Sequence, residues 1–157
     1  MATRLRHNIR RATAALVIAA AGVLAAAPPA AAHTLDEAVR SGEGCTWASG
    51  SYTTLHSTRL TYGAEYYGTV YLLWHGGRGE NCVVTLKGGA THGVSGYTEA
   101  VLRVQGGPTR EEGERFSHYA AVNVAARGAC VSYEGTIVHP TTLRPVSGGR
   151  PGWDNCG

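Results

Sequence analysis

The sequence predicts an all-β protein, namely a small disulfide-stabilised antiparallel β-sandwich or barrel with a short N-terminal helix or arm. Three observations predict this fold class. Short runs rich in β-branched and aromatic residues alternate with glycine-rich turns, as in sandwiches and small barrels. The 22 glycines of the chain would interrupt any long helix. The four cysteines, an even number, follow a segment typical of exported proteins.

The first 32 residues have the pattern of a secretory signal peptide. Four arginines without acidic neighbours precede an apolar run over 14–27, and Ala30, Ala31 and Ala32 offer a small-residue cleavage site. The apolar run is shorter than the roughly 20 residues that span a bilayer as a helix. We therefore expect cleavage after Ala32 and one secreted domain over 33–157, with no membrane association after cleavage.

Removing residues 1–32 changes the charge of the protein. The whole chain has 14 Lys and Arg against 11 Asp and Glu, and four of the arginines precede His33. The remainder then has 14 − 4 = 10 basic and 11 acidic residues, a net charge of −1. Nucleic-acid binding depends on clustered basic residues, so we expect no nucleic-acid partner. The remaining length fits a single domain, which we expect to be monomeric.

The cysteines predict two disulfides in the exported part. Their wide spacing does not fit a zinc knuckle. Of the three possible pairings we favour Cys45–Cys82 and Cys130–Cys156. Each bridge is expected to contribute about 3–4 kcal/mol, mainly by restricting the unfolded chain.

The elements can be placed along the chain. Thr34 and Glu37 form a capping box before a helix of about two turns. Strands are predicted at 52–60, 66–74, 82–86, 97–104, 116–125, 130–133 and 136–138, with a hairpin turn over 76–81. In the second of these strands Val70, Leu72 and Trp74 would face one side and Tyr71 and Leu73 the other. The acidic segment 111–114 is interpreted as a solvated loop, and the Pro- and Gly-rich tail from Pro140 as irregular.

No credible catalytic set stands out, and we expect neither an enzyme nor a bound cofactor. The G-x-S-x-G elbow is absent around Ser95. The carboxylates of segment 111–114 adjoin one another, which does not suit the opposed pair of a glycosidase.

His33 raises a minor metal hypothesis. After cleavage its amine and imidazole could chelate copper together with a second histidine, drawn from His56, His75, His92, His118 and His139. The favoured interpretation is that these histidines occupy surface or turn positions, so we expect no resident metal.

Aromatic residues suggest a possible ligand surface. Tyr67, Tyr71 and Trp74 crowd into one predicted strand and could stack on sugar rings. Burial in the core is the favoured alternative for any one of them, because large aromatic area normally drives burial.

The second half of the chain resembles the spore-associated protein A family of small secreted actinobacterial proteins. The matching residues are Gly68-Thr69-Val70-Tyr71-Leu72, Asn81-Cys82-Val83-Val84-Thr85, Tyr119-Ala120, Cys130-Val131 and Cys156-Gly157, preceded by Cys45. Segment 88–110 matches little, and Ala121-Val122 stands where the family has Gly-Pro. The resemblance implies export and association with spores or the cell exterior, and it carries over no catalytic motif.

The sequence thus predicts a secreted, non-enzymatic extracellular or spore-surface protein with the spore surface or cell wall as partner. Two alternatives stay open. One is a small carbohydrate- or cell-wall-binding module, and the other is a secreted inhibitor or toxin-like protein.

Overall fold

Two four-stranded antiparallel sheets account for most of the chain in a computed structural model that describes residues 33–156. The predicted signal peptide lies outside the described residues. The elements are α1 (Leu35–Arg40), β1 (Thr53–Tyr62), β2 (Glu65–His75), β3 (Glu80–Lys87), β4 (Gly96–Val104), β5 (Thr109–Phe116), β6 (Tyr119–Ala125), β7 (Val131–Val138) and β8 (Pro145–Asp154), with a 3-10 turn at Gly89–Thr91. The all-β fold class is confirmed. None of the helices within 33–156 has the length and apolar character needed to cross a bilayer.

The first sheet has the strand order β1-β2-β3-β6 and the second the order β5-β4-β7-β8. The predicted hairpin is confirmed as β2–β3, which pairs in register from Gly68 opposite Lys87 to His75 opposite Glu80. The chain changes sheet three times, between β3 and β4, at the tight β5–β6 turn and between β6 and β7.

The main core fills the space between the two sheets. Alternate side chains of both inner faces are buried there, as expected for a sandwich. The largest contributors are Leu60, Tyr67, Leu72, Leu102, Tyr133 and Ile137. The two faces predicted for β2 are confirmed for four residues, because Val70 and Leu72 point into this core while Tyr71 and Leu73 point away from it.

A second core covers the outer face of the first sheet. The N-terminal arm, defined here as residues 33–52, lies over β2 and β3 and buries Val39, Trp47, Leu73 and Val84. The predicted capping box starts the helix of this arm, since the Thr34 hydroxyl accepts from the Glu37 amide and the Glu37 carboxylate accepts from the Thr34 amide. The arm is therefore a third layer of the fold.

Both favoured disulfides are confirmed. Cys45–Cys82 joins the arm to β3, and Cys130–Cys156 joins the residue before β7 to the end of the described chain. No cysteine among residues 33–156 is free. Each bridge thus attaches a terminal segment to a central strand or to the residue directly before one.

Three predictions about the strands were wrong. Segment 111–114 is part of β5, an edge strand, and the tail forms β8, the opposite edge of the same sheet. An edge strand is hydrogen-bonded to one neighbouring strand only and can carry many polar side chains. Its alternation of apolar and polar residues is therefore weak. The tracts 130–133 and 136–138 belong to one strand, β7, because Gly135 continues the pairing with β4 opposite Ala100.

Gly135 marks a close approach of the two sheets. A Cβ at this position would lie 2.7 Å from Val70 Cγ2 and would also collide with Thr85 Oγ1 across the core. We expect Gly135→Ala to lower the free energy of unfolding by about 1–3 kcal/mol through overpacking. Chemical denaturation measures this loss. Gly152→Ala is the matched control, since its Cβ would meet nothing within 4 Å, and equal stability of the two variants would contradict the packing described here.

Candidate functional site

Three histidines from separate parts of the chain meet at one end of the fold. His33 begins the described arm, His92 follows the 3-10 turn after β3, and His118 lies in the β5–β6 turn. One ring nitrogen from each residue can be chosen so that all three lie within 4.8 Å of one another. All three side chains are partly buried.

Backbone contacts fix the two loops that carry this cluster. The Gly93 amide donates to the Ser117 carbonyl over 2.8 Å, which ties the loop of His92 to the turn of His118. The buried Thr91 hydroxyl donates to the Tyr67 carbonyl over 2.6 Å and thereby holds the 3-10 turn against β2. The cluster therefore rests on a supported backbone.

The histidine side chains contact one another directly. The His33 backbone N–H donates to His92 Nε2 over 3.0 Å, and His118 Nδ1 lies 3.2 Å from the same nitrogen. The rings of His33 and His118 stack with centroids 3.8 Å apart. Burial, followed by the charge on neighbouring His33, holds the pKa of both His92 and His118 below the ordinary value of 6.5. Near neutral pH both rings are uncharged and offer lone pairs.

Lys87 lies close to this cluster with its side chain buried. Its ammonium donates to the Val94 carbonyl over 2.6 Å and to the Phe116 carbonyl over 2.9 Å, which joins the two loops a second time. These bonds favour the charged form. Burial outweighs them and, with a smaller contribution from Arg115, lowers the pKa of Lys87 to about 8.

The lowered pKa of Lys87 predicts a pH dependence of stability. The unfolded chain keeps this proton up to its ordinary pKa of 10.5, whereas the folded protein releases it near pH 8. Between pH 8 and 10 the unfolded state binds more protons, so the free energy of unfolding rises with pH, by at most about 1.4 kcal/mol per pH unit. Denaturation curves across this range measure the slope. Lys87→Met should abolish it whatever its own stability, and an unchanged slope would contradict the assignment.

The other three candidate histidines lie in separate places. His56 Nε2 is 4.0 Å from Asp154, and His139 Nε2 is 3.1 Å from Glu65. His75 packs edge-on against Trp47 in the second core. Of the five possible partners of His33 considered from sequence, the structure brings together His92 and His118.

The structure does not place the three candidate aromatic residues on one exposed surface. Tyr67 is fully buried because it is the extra residue of a bulge, between Tyr66 opposite Thr61 and Gly68 opposite Leu60, and points into the main core. Tyr71 packs on the opposite face, beneath the arm. Trp74 lines a small cleft at the end of the sandwich. The three side chains therefore lie in different parts of the fold.

Many acidic side chains have structural partners. Glu112, from the segment considered for acid–base chemistry, accepts from the Ala121 amide over 2.8 Å and so links the edge strands β5 and β6. Further partners are found for Asp36 (Arg40), Glu80 (Trp47 and Arg78), Glu99 (Tyr97), Glu134 (Arg103) and Asp154 (Arg150).

Comparison with known proteins gives one informative similarity. Over 72 residues the chain is 40% identical to spore-associated protein A of Streptomyces coelicolor. It is similar to a spore-associated protein. The aligned stretch covers 45% of this chain and 46% of that relative, so the similarity spans less than half of either protein. The resemblance expected from the strand and cysteine motifs is thereby confirmed. No family model and no solved structure matches the chain.

Proposed function

We propose that the chain is a secreted, non-enzymatic protein that associates with the spore surface or cell wall. The observation that carries this proposal is the 40% identity to spore-associated protein A. The name of that relative states a location and no activity, so the proposal concerns where the protein acts and how it is built for that place.

The disulfides support the export part of the proposal. Structural disulfides persist in oxidising surroundings outside the cytoplasm and are rare in reducing ones. Here both bridges pin terminal segments, Cys45 in the arm and Cys156 after β8. Such bridges limit fraying of the chain ends, where proteases preferentially cut.

The structural contacts of the acidic side chains support the proposal of a scaffold rather than a catalyst. The acidic residues described above join the arm to β3, close sheet edges and link the two sheets. The two most exposed aromatic residues lie apart from one another, because Tyr62 contacts Arg144 before β8 whereas Trp153 lies near the far end of that strand. We propose accordingly that association with spores uses a broad surface of the sandwich.

Fractionation of the native host tests the proposed function. Cultures are separated into cytoplasm, medium, washed vegetative cell walls and washed spores, and the protein is quantified in each fraction by mass spectrometry. We expect enrichment on spores or cell walls over the cytoplasm. Recovery in the cytoplasm, or in the medium with no retention on either surface, would contradict the proposal.

A matched pair of variants tests export by itself. Leu16→Arg places a charge in the apolar run of the predicted signal peptide. This variant should remain inside the cell, while Leu60→Val, a conservative change in the mature sandwich, should be exported normally. Equal export of Leu16→Arg and the unaltered protein would show that the predicted signal peptide does not direct secretion.

A further inference from the structure

The nitrogen atoms of the three-histidine cluster are almost as close together as the donors of a metal ion. Metal–nitrogen bonds of about 2.0 Å place neighbouring donors about 2.8 Å apart in a square-planar site and about 3.3 Å apart in a tetrahedral one. Two nitrogen contacts already lie in this range, at 3.0 Å between His33 N and His92 Nε2 and at 3.2 Å between His118 Nδ1 and His92 Nε2. The 4.8 Å limit on the three ring nitrogens leaves only a small side-chain movement to complete the site.

A second observation at the same place also indicates a ligand. His33 Nδ1 is buried and has no hydrogen-bond partner. A buried polar atom without a partner costs free energy, and an unseen ion is one reason for such an atom. Because the backbone nitrogen of His33 contacts His92, this unpartnered atom belongs to a residue already held in the cluster.

Charged residues of both signs surround the cluster. His33 and His118 line a cleft of about 270 Å³ together with Glu43, Arg115 and Tyr119. Arg115 and the buried Lys87 oppose a cation, whereas the Glu43 carboxylate favours one. An ion held here therefore depends on direct coordination by nitrogen atoms.

The donor set selects among metals. The three grouped ligand atoms are all imidazole nitrogens. Imidazole suits copper, zinc and nickel, and among divalent first-row ions Cu(II) binds a given nitrogen site most tightly. If the chain is cleaved after Ala32, which is part of the proposed function, the His33 amide becomes a free amine and a fourth nitrogen donor.

We propose that His33, His92 and His118 bind a Cu(II) ion, and that cleavage after Ala32 adds the His33 amine as a fourth ligand. The inference rests on the proposed export for the amine and on the folded cluster alone for the three imidazoles. It assigns the end of the sandwich that carries the β3–β4 loop and the β5–β6 turn to metal capture.

Titration of the exported protein with CuSO₄ and, in parallel, ZnSO₄ tests the site. Calorimetry against a competing chelator gives the affinities, and electron paramagnetic resonance gives the number of coordinated nitrogens. We expect one Cu(II) per chain, a four-nitrogen signal and weaker binding of Zn(II). Absence of stoichiometric copper, or tighter zinc than copper, would overturn the proposal.

Variants locate the ligands. His92→Gln and His118→Gln should each weaken copper binding at least about 100-fold, because loss of an outer-sphere partner alone costs 10–100-fold. His56→Gln is the matched control and should bind as the unaltered protein does. Circular dichroism confirms that each variant is folded. If one variant fails to fold, electron paramagnetic resonance of the unaltered protein replaces it. Labelling the histidines with a nitrogen isotope then changes the line splitting if histidine nitrogens coordinate the copper. Copper affinity that is unchanged in both loop variants would overturn the site.

The amine is tested separately from the imidazoles and from spore association. A protein that retains Ala32 before His33 keeps all three rings and moves the amine away. It should bind Cu(II) more weakly and lose one nitrogen from the resonance signal, and identical spectra would overturn the amine ligand. None of these measurements involves spores, so copper binding without spore retention would contradict the proposed function alone.

Discussion

Replacing Trp47 with alanine is expected to lower the free energy of unfolding by about 3–5 kcal/mol, the range for truncating a buried aromatic residue. Trp47 is 1% exposed and fills the space between the arm and the first sheet. Its indole N–H also donates to the Glu80 carboxylate over 2.8 Å. Loss of the side chain therefore removes apolar packing and a charge-assisted hydrogen bond together. Denaturant unfolding followed by circular dichroism measures the change.

Two variants serve as controls for the Trp47 prediction. Trp153 is 50% exposed, so Trp153→Ala should change stability by less than about 0.5 kcal/mol. Trp47→Phe keeps much of the burial, loses the indole donor and should fall between these two. A Trp47→Ala protein as stable as the Trp153→Ala protein would mean that the arm does not pack on the sheet as described.

Removing the Cys45–Cys82 bridge with the pair Cys45→Ala and Cys82→Ala is expected to cost about 4 kcal/mol. The two cysteines are 37 residues apart, and the loss follows from the entropy that the unfolded chain regains. Because this bridge attaches the arm to β3, its removal should also let the arm open without unfolding of the sandwich. The Trp47 amide, which donates to the Val39 carbonyl, should exchange with solvent faster than amides of the sandwich.

The Cys130–Cys156 bridge provides the comparison. It spans 26 residues, so its removal should cost a similar free energy, about 3.5 kcal/mol, by the same entropy argument. It lies at the other terminus and should leave exchange at Trp47 unchanged. Hydrogen exchange followed by mass spectrometry reports both sites. Faster exchange of the arm in both double variants, or in neither, would contradict a specific role of Cys45–Cys82 in holding the arm.

The sequence predicts the centre of the fold better than its edges. The hairpin β2–β3 combines apolar alternation with a glycine-rich turn, and both signals are local. The edge strand β5 carries Glu111, Glu112 and Glu114, and its side chains are only partly covered. The other edge, β8, contains two prolines and three glycines. Strands that pair on one side need little apolar patterning, so periodicity does not detect them.

The sequence of β3 contains a signal for the third layer. Cys82, Val83 and Val84 are consecutive apolar residues in β3, and all three are fully buried. A strand with one face in water would alternate, whereas a strand covered on both faces gives such a run. The run indicates that something covers the outer face of the first sheet, although it does not identify the N-terminal arm as the cover.

The histidine cluster could not be selected from sequence. His33 and His92 are 59 positions apart, and His92 and His118 are 26 apart. Their meeting depends on the crossing from β3 to β4, on the β5–β6 turn and on the arm folding back over the first sheet. Each of these is a long-range feature, so five histidines were equivalent partners of His33 until the topology separated them.

Intact-mass spectrometry of the protein extracted from washed spores of its native host tests the central claim, that this is an exported, doubly disulfide-bonded spore-surface protein. We predict a mass that begins at His33 and rises by four hydrogen atoms on reduction, two for each bridge, with more protein on spores than in the cytoplasm. A spore fraction without the protein, a mass that still includes residues 1–32, or a mass that reduction leaves unchanged would contradict the account.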